Sequence, residues 1–261
     1  MPEPMARAYG VQYEGRIFRR SRLRDRLGPD DPIFHLLEQL CINDVINIED
    51  DFTTSLDTAR WTAAAIAGGV AYVRTANTLG GIIAGSGTTT SGDGGTLFTT
   101  NNEVFVTNAR PVGLIRHRVS AITTVKLEFG FADAVQSGQV NVKATPTSTG
   151  TDYAVIIYDT VDDTNTELVV DGTTPAVAKV DASAAITALA ANTYQTWMLA
   201  LNEQNASYYW VNGVFGGVQR ANGPDDDVTL GIFACVRTRA DATARTHDID
   251  YIKAVCDRVV F

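Results

Sequence analysis

The segment Thr124-Val125-Lys126-Leu127-Glu128-Phe129-Gly130-Phe131 sets the pattern that most of this chain follows. Its large apolar side chains fall on one face, and they are Val125, Leu127, Phe129 and Phe131. A period of two is typical of a β-strand with one buried face. We therefore expect this face to enter a core and the other face, with Lys126 and Glu128, to meet solvent.

Short segments of this kind recur along most of the chain, separated by turns rich in Gly, Asn and Asp. The turn Asn212-Gly213 predicts a type I′ hairpin between two of them. Residues 85–95 are rich in Gly, Ser and Thr and predict a loop that is mobile unless a partner orders it. The alanine-rich segment 181–192 favours one or two helical turns. The predicted strands are 48–52, 61–65, 70–74, 80–84, 105–108, 112–119, 124–131, 139–144, 153–158, 167–170, 176–180, 194–201, 207–211, 214–218, 228–236 and 247–255. So many short strands predict an all-β fold, one antiparallel β-sandwich of jelly-roll type over residues 47–261.

Residues 1–46 differ from the rest of the chain. Residues 1–26 contain seven arginines and three acidic residues, so they carry +4, which leaves −13 for the remainder of a chain of net charge −9. We expect an extended basic arm that docks onto an acidic partner or onto a neighbouring copy, although a solvated terminus has the same composition.

A helix is predicted over residues 32–46. Asp31 is suited to cap its free N–H groups, and Pro32 suits the first helical position. Apolar residues then cover most of the helix circumference, as expected for a buried helix. The sequence leaves open whether this helix packs on the sandwich or inserts between subunits.

Charge and cysteine content exclude several classes of protein. The acidic balance argues against nucleic-acid binding by the whole chain. Cys41, Cys235 and Cys256 form neither a disulfide framework nor a zinc pattern, so we expect buried free thiols. No apolar run suits a signal peptide or a membrane span. We expect a protein made in a cytoplasm and not exported by the general secretory route.

Four segments together resemble the concanavalin A-like lectin/glucanase sandwich. They are Asp50-Asp51-Phe52 with Trp61, Tyr194-Gln195-Thr196-Trp197, Tyr208-Tyr209-Trp210-Val211-Asn212-Gly213, and Asp248-Ile249-Asp250-Tyr251-Ile252. The resemblance spans residues 50–255 and implies the fold. That family includes lectins, glycosidases, carbohydrate-binding modules and structural proteins of bacteriophage particles, and the fold alone does not choose among them.

The sequence predicts no enzyme, no cofactor, no catalytic residue and no metal ligand. Glucanases of the family carry Glu-x-Asp-x-x-Glu on one strand, and this chain has no such run, so a retaining glycosidase lacks its paired acids. His247-Asp248-x-Asp250 would send its first two side chains to opposite faces, and we interpret His247 as a strand-edge polar group. The loop Asn222–Asp227 carries a weaker calcium hypothesis, because oxygen-rich turns also form without a cation.

The segment Tyr208–Val211 leaves a further choice open. Tyr208 and Trp210 share one face, and Tyr209 and Val211 share the other. One face must fill the core. The other face serves as a sugar platform, a subunit contact or, by default, the second layer of the sandwich.

The sequence-based prediction of function is a structural protein of a phage particle, made in the host cytoplasm and located in the virion. It is most simply a capsid decoration (cement) protein that binds the major capsid protein or another virion protein and forms a homo-oligomer, with a trimer favoured. The alternative is a glycan-binding module or fibre domain that recognises host carbohydrate. Nucleic acid and membrane are not expected partners. The predicted partner-binding residues are Arg16, Arg19, Arg20, Arg22, Arg24, Arg26, Phe34 and Leu37. The guanidinium forks of the six arginines suit carboxylates.

Overall fold

A computed structural model describes a β-sandwich. The described residues are 45–75, 81–99, 105–133, 150–172, 178–180, 185–186, 188–202, 205–220, 222–239 and 243–257. Within them the chain forms sixteen strands and one short 3₁₀ turn, Thr107–Ala109. The strands are β1 (Val45–Asp50), β2 (Trp61–Ile66), β3 (Val70–Arg74), β4 (Ile83–Gly87), β5 (Gly94–Thr99), β6 (Phe105–Val106), β7 (Val112–Val119), β8 (Val125–Ala132), β9 (Tyr153–Asp159), β10 (Thr166–Asp171), β11 (Ala178–Val180), β12 (Gln195–Leu201), β13 (Ser207–Val211), β14 (Val214–Gln219), β15 (Thr229–Thr238) and β16 (Arg245–Asp257).

The strands form two antiparallel sheets. Sheet A has the order β14-β13-β12-β7-β16-β4-β3, and β1 also pairs with β16. Sheet B has the order β11-β10-β9-β8-β15-β5-β2, and β6 also pairs with β15. The predicted all-β sandwich is therefore confirmed. Among the described residues, no helix has the length and hydropathy that a membrane crossing requires.

The main core lies between the sheets and follows the predicted alternation. From β8 it receives Val125, Leu127, Phe129 and Phe131, none more than 1% exposed. From β12 it receives Trp197, Leu199 and Leu201. Because successive side chains of a strand point to opposite faces, each central strand also presents a second set of side chains away from this core.

The hairpin between β13 and β14 confirms the predicted turn. Val211 pairs with Val214, and the two residues between them, Asn212 and Gly213, both have positive φ angles of 51° and 78°. Asn and Gly tolerate this left-handed conformation better than other residues do. The two-residue turn therefore fixes which side chains of β13 enter the core.

The predicted loop over residues 85–95 has the wrong bounds. Its first residues belong to β4 and its last to β5, and Asp93 between them is buried and accepts a 3.0 Å hydrogen bond from the Gly68 N–H. The glycines allow close packing here: a Cβ on Gly94 would lie 1.9 Å from the Val236 carbonyl oxygen. Glycine was interpreted as a sign of mobility, whereas it permits the close approach of two backbones.

Two other boundaries change. Val45 and Ile46, assigned to the end of the predicted helix, belong to β1, and the rest of that helix lies outside the described residues, as does the predicted strand 139–144. The described residues 188–192 form no helical turn. The division into an arm over 1–46 and a sandwich over 47–261 otherwise stays a prediction.

Candidate functional site

The outer face of sheet A, the face turned away from the core, is partly open to solvent. On β13, Tyr209 and Val211 are fully buried in the core, whereas Tyr208 and Trp210 on the opposite face are half-buried. Tyr209 also donates a hydrogen bond to the Thr166 carbonyl at 3.2 Å. The core-facing pair is thus Tyr209 and Val211, and the outward pair remains accessible.

Three aromatic side chains form a row on this outer face, which we call the aromatic row: Tyr208, Trp210 and Phe215. The Tyr208 and Trp210 rings are nearly parallel, at 20°, with centroids 6.3 Å apart. The Phe215 ring lies 5.6 Å from Trp210, and Phe215 is 46% exposed. Trp210 pairs across the strands with Phe215 on one side and with Met198 on the other, so an apolar strip crosses three strands.

Beside this row lies the Arg–Tyr–Asp cluster, which we define as Arg116, Arg118, Tyr194, Asp248 and Asp250. Arg118 Nε donates to Asp248 Oδ2 at 2.8 Å, and Arg116 Nη1 donates to Asp250 Oδ2. Both guanidinium groups lie over the Tyr194 ring, at 4.2 Å for Arg116 and 4.9 Å for Arg118. The hydrogen bond to Asp248 raises the pKa of Arg118, and burial raises the pKa of Tyr194.

A β-bulge in β16 lies at the second carboxylate of the cluster. His117 pairs with Ile249 and Arg116 pairs with Tyr251, so Asp250 is the extra residue of β16. A bulge of this kind re-aims a side chain without breaking the sheet. Alternation already places Asp250 on the same face as Asp248, where it meets Arg116. The bulge also places Tyr251 opposite Arg116. The next residue, Ile252, returns to the core opposite Ile115.

The outer face of sheet B is different, because it is buried. Lys126 and Glu128 were expected to be solvated and isolated, and this prediction is wrong: both side chains are fully buried, and Lys126 Nζ lies 2.7 Å from Glu128 Oε1. Around them on this face lies a second apolar cluster that includes Val155, Ile157 and Phe233. Alternation places a side chain on a face, but it does not decide whether that face meets water. Glu128 is therefore unsuited to act on a saccharide from solvent.

The interpretation of His247 as a strand-edge group is also wrong. His247 lies on β16 between β7 and β4 and is fully buried between the sheets. Its Nδ1 lies 2.5 Å from the Tyr72 hydroxyl oxygen, and its Nε2 lies 2.9 Å from Nδ1 of the buried His117. Burial lowers the pKa of His247 to about 3. The pKa of His117 is also lowered, mainly by burial and to a lesser extent by the neighbouring His247. Both imidazoles are thus neutral packing groups at neutral pH.

The prediction that His247 and Asp248 point to opposite faces is confirmed, since Asp248 belongs to the exposed cluster. In the loop Asn222–Asp227, the Asp225 N–H donates to Asp152 Oδ1 at 2.9 Å, while Asp226 and Asp227 are exposed. This hydrogen bond helps to fix the loop, and burial raises the pKa of Asp152. The calcium hypothesis for this loop stays a hypothesis.

The predicted partner-binding residues lie outside the described part of the chain, and they are Arg16, Arg19, Arg20, Arg22, Arg24, Arg26, Phe34 and Leu37. Cys41 lies outside it as well. Cys235 and Cys256 are buried free thiols, as predicted, and burial raises the pKa of each to about 12.

Sequence reasoning missed the Arg–Tyr–Asp cluster. The available signal was a matching pair of patterns, Arg-x-Arg on β7 and Asp-x-Asp on β16, separated by 130 residues or more. Their side chains meet because β7 and β16 are neighbours in sheet A, and strand order does not follow from local alternation.

Solved structures establish the fold. The Emp47p carbohydrate recognition domain is 14% identical, with a TM-score of 0.52, and the match covers 83% of this chain and 98% of that chain. The Bacillus licheniformis β-glucanase is 13% identical, with a TM-score of 0.54 and coverage of 81% and 98%. A Bacteroides ovatus GH16 protein in complex with its G4G4G3G product is 12% identical, with a TM-score of 0.55 and coverage of 79% and 99%.

No family model matches the sequence, and no curated protein matches it. The chain has the concanavalin A-like jelly-roll fold, which carbohydrate recognition domains of lectins share with GH16 glucanases. The predicted resemblance is therefore confirmed for the fold. At this level of identity the similarity concerns the fold alone.

Proposed function

We propose that this chain is a non-enzymatic glycan-binding module that holds a saccharide on the outer face of sheet A. The observation that carries the proposal is the aromatic row of Tyr208, Trp210 and Phe215, which remains accessible on an open sheet face. Rigid aromatic rings offer a large apolar surface on which the C–H face of a sugar ring packs, while polar groups alongside fix its orientation.

Two further observations support this function. The solved structures of the same fold include a carbohydrate recognition domain and glucanases, one of them with its saccharide product. Binding without hydrolysis is supported by Glu128, because this carboxylate is fully buried against Lys126 and not displayed beside a second acid on an open face.

A glycan array followed by calorimetry on the best-binding saccharide tests the proposal. We expect Trp210→Ala to weaken binding at least tenfold, which is about 1.4 kcal/mol. The matched control is Val161→Ala, because Val161 is 55% exposed in the turn after β9 and lies outside the proposed site. It should bind as the parent protein does. No binding above background by the parent protein, or unchanged binding by Trp210→Ala, would contradict the proposal.

The capsid-decoration function predicted from the sequence stays a prediction, together with its virion location, its capsid partner and its trimeric state. The residues that carry it lie in 1–44, outside the described residues. Removing residues 1–31 and measuring occupancy on expanded capsids tests it, and unchanged occupancy would count against docking through the arm.

A further inference from the structure

We propose that the Arg–Tyr–Asp cluster is the specificity-determining subsite of this module and that it selects a neutral sugar through adjacent hydroxyl groups. The inference rests on the proposed function and adds the chemical class of the ligand. It follows from the rigidity of the cluster, its open hydrogen-bonding groups, its charge balance and its distance from the aromatic row.

The cluster is preorganised. Each arginine is held at one end by a carboxylate and along its plane by the Tyr194 ring, which contacts both guanidinium groups. A guanidinium fixed in this way loses little conformational freedom when it binds a ligand, because its rotamer is already selected.

The cluster keeps hydrogen-bonding groups open to a ligand. An arginine has five N–H donors. Within the described part of the chain, Arg116 donates through Nη1 and Arg118 through Nε. Their side chains are 43% and 35% exposed, so further donors reach solvent. Asp248 and Asp250 each accept these bonds through Oδ2, which leaves Oδ1 as an acceptor.

The charge balance favours a neutral ligand. Two guanidinium groups and two carboxylates sum to zero, and each cation already contacts an anion. A hydroxyl group both donates and accepts, so adjacent hydroxyls can accept from an arginine and donate to the neighbouring carboxylate at the same time. A sugar carboxylate or sulfate has no donor for Asp248 or Asp250 and is repelled by both.

The cluster lies within reach of a saccharide on the aromatic row. Trp210 pairs with Met198 on β12, and Met198 pairs with Leu114 on β7, one outward position from Arg116. Arg116 lies two strands away from Trp210 and two residues further along the strand direction. Their Cα atoms are therefore roughly 12 Å apart. A short oligosaccharide that crosses the strands would contact both places.

The test compares binding of neutral oligosaccharides with that of uronic-acid and sulfated analogues. We expect the parent protein to bind neutral oligosaccharides at least tenfold more tightly than the uronic-acid and sulfated analogues. The double variant Asp248→Asn, Asp250→Asn should bind neutral oligosaccharides about tenfold more weakly and should prefer them less strongly over the anionic analogues. The reason is that each amide replaces one acceptor oxygen of the carboxylate with an NH2 group and removes the negative charge. The matched control is Glu49→Gln, since Glu49 pairs with Lys253 on an exposed part of the same sheet, outside the cluster. It should leave binding unchanged.

Several outcomes would overturn the inference. A preference of the parent protein for anionic glycans would do so, as would asparagine variants that bind like the parent. If these variants do not fold, Arg116→Lys replaces them, because lysine keeps the charge and loses the planar fork; unchanged selectivity would again contradict the inference. Binding to no glycan defeats the proposed function itself. Light scattering that shows a dimer abolished by Trp210→Ala would assign this face to a second copy.

Discussion

Two pairs of charged residues, Arg116 with Arg118 and Lys126 with Glu128, occupy equivalent positions and have opposite surroundings. Arg116 and Arg118 alternate along β7 near the middle of sheet A, and Lys126 and Glu128 alternate along β8 near the middle of sheet B. Both pairs point away from the inter-sheet core. The arginine side chains are 43% and 35% exposed, whereas the Lys126 and Glu128 side chains are fully buried.

The comparison separates two roles for charge in one fold. An exposed ion pair is screened by water and contributes little to stability, so its groups remain available for a ligand. A buried ion pair has lost its hydration, and the attraction between its two charges offsets part of that cost. The outer face of sheet A is therefore suited to binding, and the outer face of sheet B is suited to holding structure.

The largest expected effect comes from breaking the buried pair. Lys126→Met leaves the Glu128 carboxylate buried without the ammonium that it contacts, and we expect the free energy of unfolding to fall by about 3–5 kcal/mol. Urea denaturation measures it. The control is Lys126→Met with Glu128→Leu, which removes both charges and should recover most of the loss. If the single variant lowers the free energy of unfolding by less than about 1 kcal/mol, the outer face of sheet B is as accessible to solvent as that of sheet A.

Lowering the pH is expected to have an intermediate effect on stability, because it acts on His117 and His247 in the core between the two sheets. Unfolded histidine has a pKa near 6.5, whereas burial lowers the pKa of His247 to about 3 and also lowers that of His117. The unfolded state therefore binds more protons below about pH 6.5, and stability falls as the pH falls, by up to about 1.4 kcal/mol per pH unit for each histidine.

Unfolding measured at steps from pH 7 to pH 5 checks this dependence before most carboxylates titrate. NMR of the imidazole C–H signals of His117 and His247 is the direct control. Neither imidazole should become protonated in the folded protein between pH 7 and pH 5. Titration of His117 or His247 near pH 6.5 without loss of stability would show that the pair is accessible to solvent.

The smallest effect is expected on the exposed face. Arg118→Ala removes a hydrogen bond to Asp248, yet the pair is partly exposed to water, which screens it, so the free energy of unfolding should change by only about 0.2–1 kcal/mol. The same urea measurement compares it with Lys126→Met. A loss as large as that of the buried pair would show that the cluster has a structural role, and its use in binding would then need separate support.

Much of the fold could be predicted from the sequence. Alternation identified the core face of β8, and the Asn212-Gly213 turn fixed the β13–β14 hairpin, because both signals depend on residues close together along the chain. The candidate site was only half predicted. Tyr208 and Trp210 were placed together on one face, but their pairing with Phe215 and Met198 depends on strand order.

The failures share one physical cause. Gly94 was interpreted as part of a loop, His247 as an edge group and Glu128 as a solvated acid, and each is buried. Gly94 packs against Val236, and His247 contacts Tyr72 and His117, all of them distant in sequence. The local sequence pattern does not show which residues pack against a given face of a strand. Burial is a property of the assembled layers, so these assignments required the tertiary structure.

The sequence by itself determined most of the strands, their inward faces and the Asn212-Gly213 turn, since each follows from the geometry of a few consecutive residues. It missed β5, whose glycines resemble those of a loop. Only the tertiary structure decided that β7 lies beside β16, which brings Arg116 and Arg118 to Asp250 and Asp248, and that Lys126 and Glu128 are buried while these arginines are not. The reason is that hydration of a side chain depends on strand order and on the packing of whole layers, and neither is a local property of the chain.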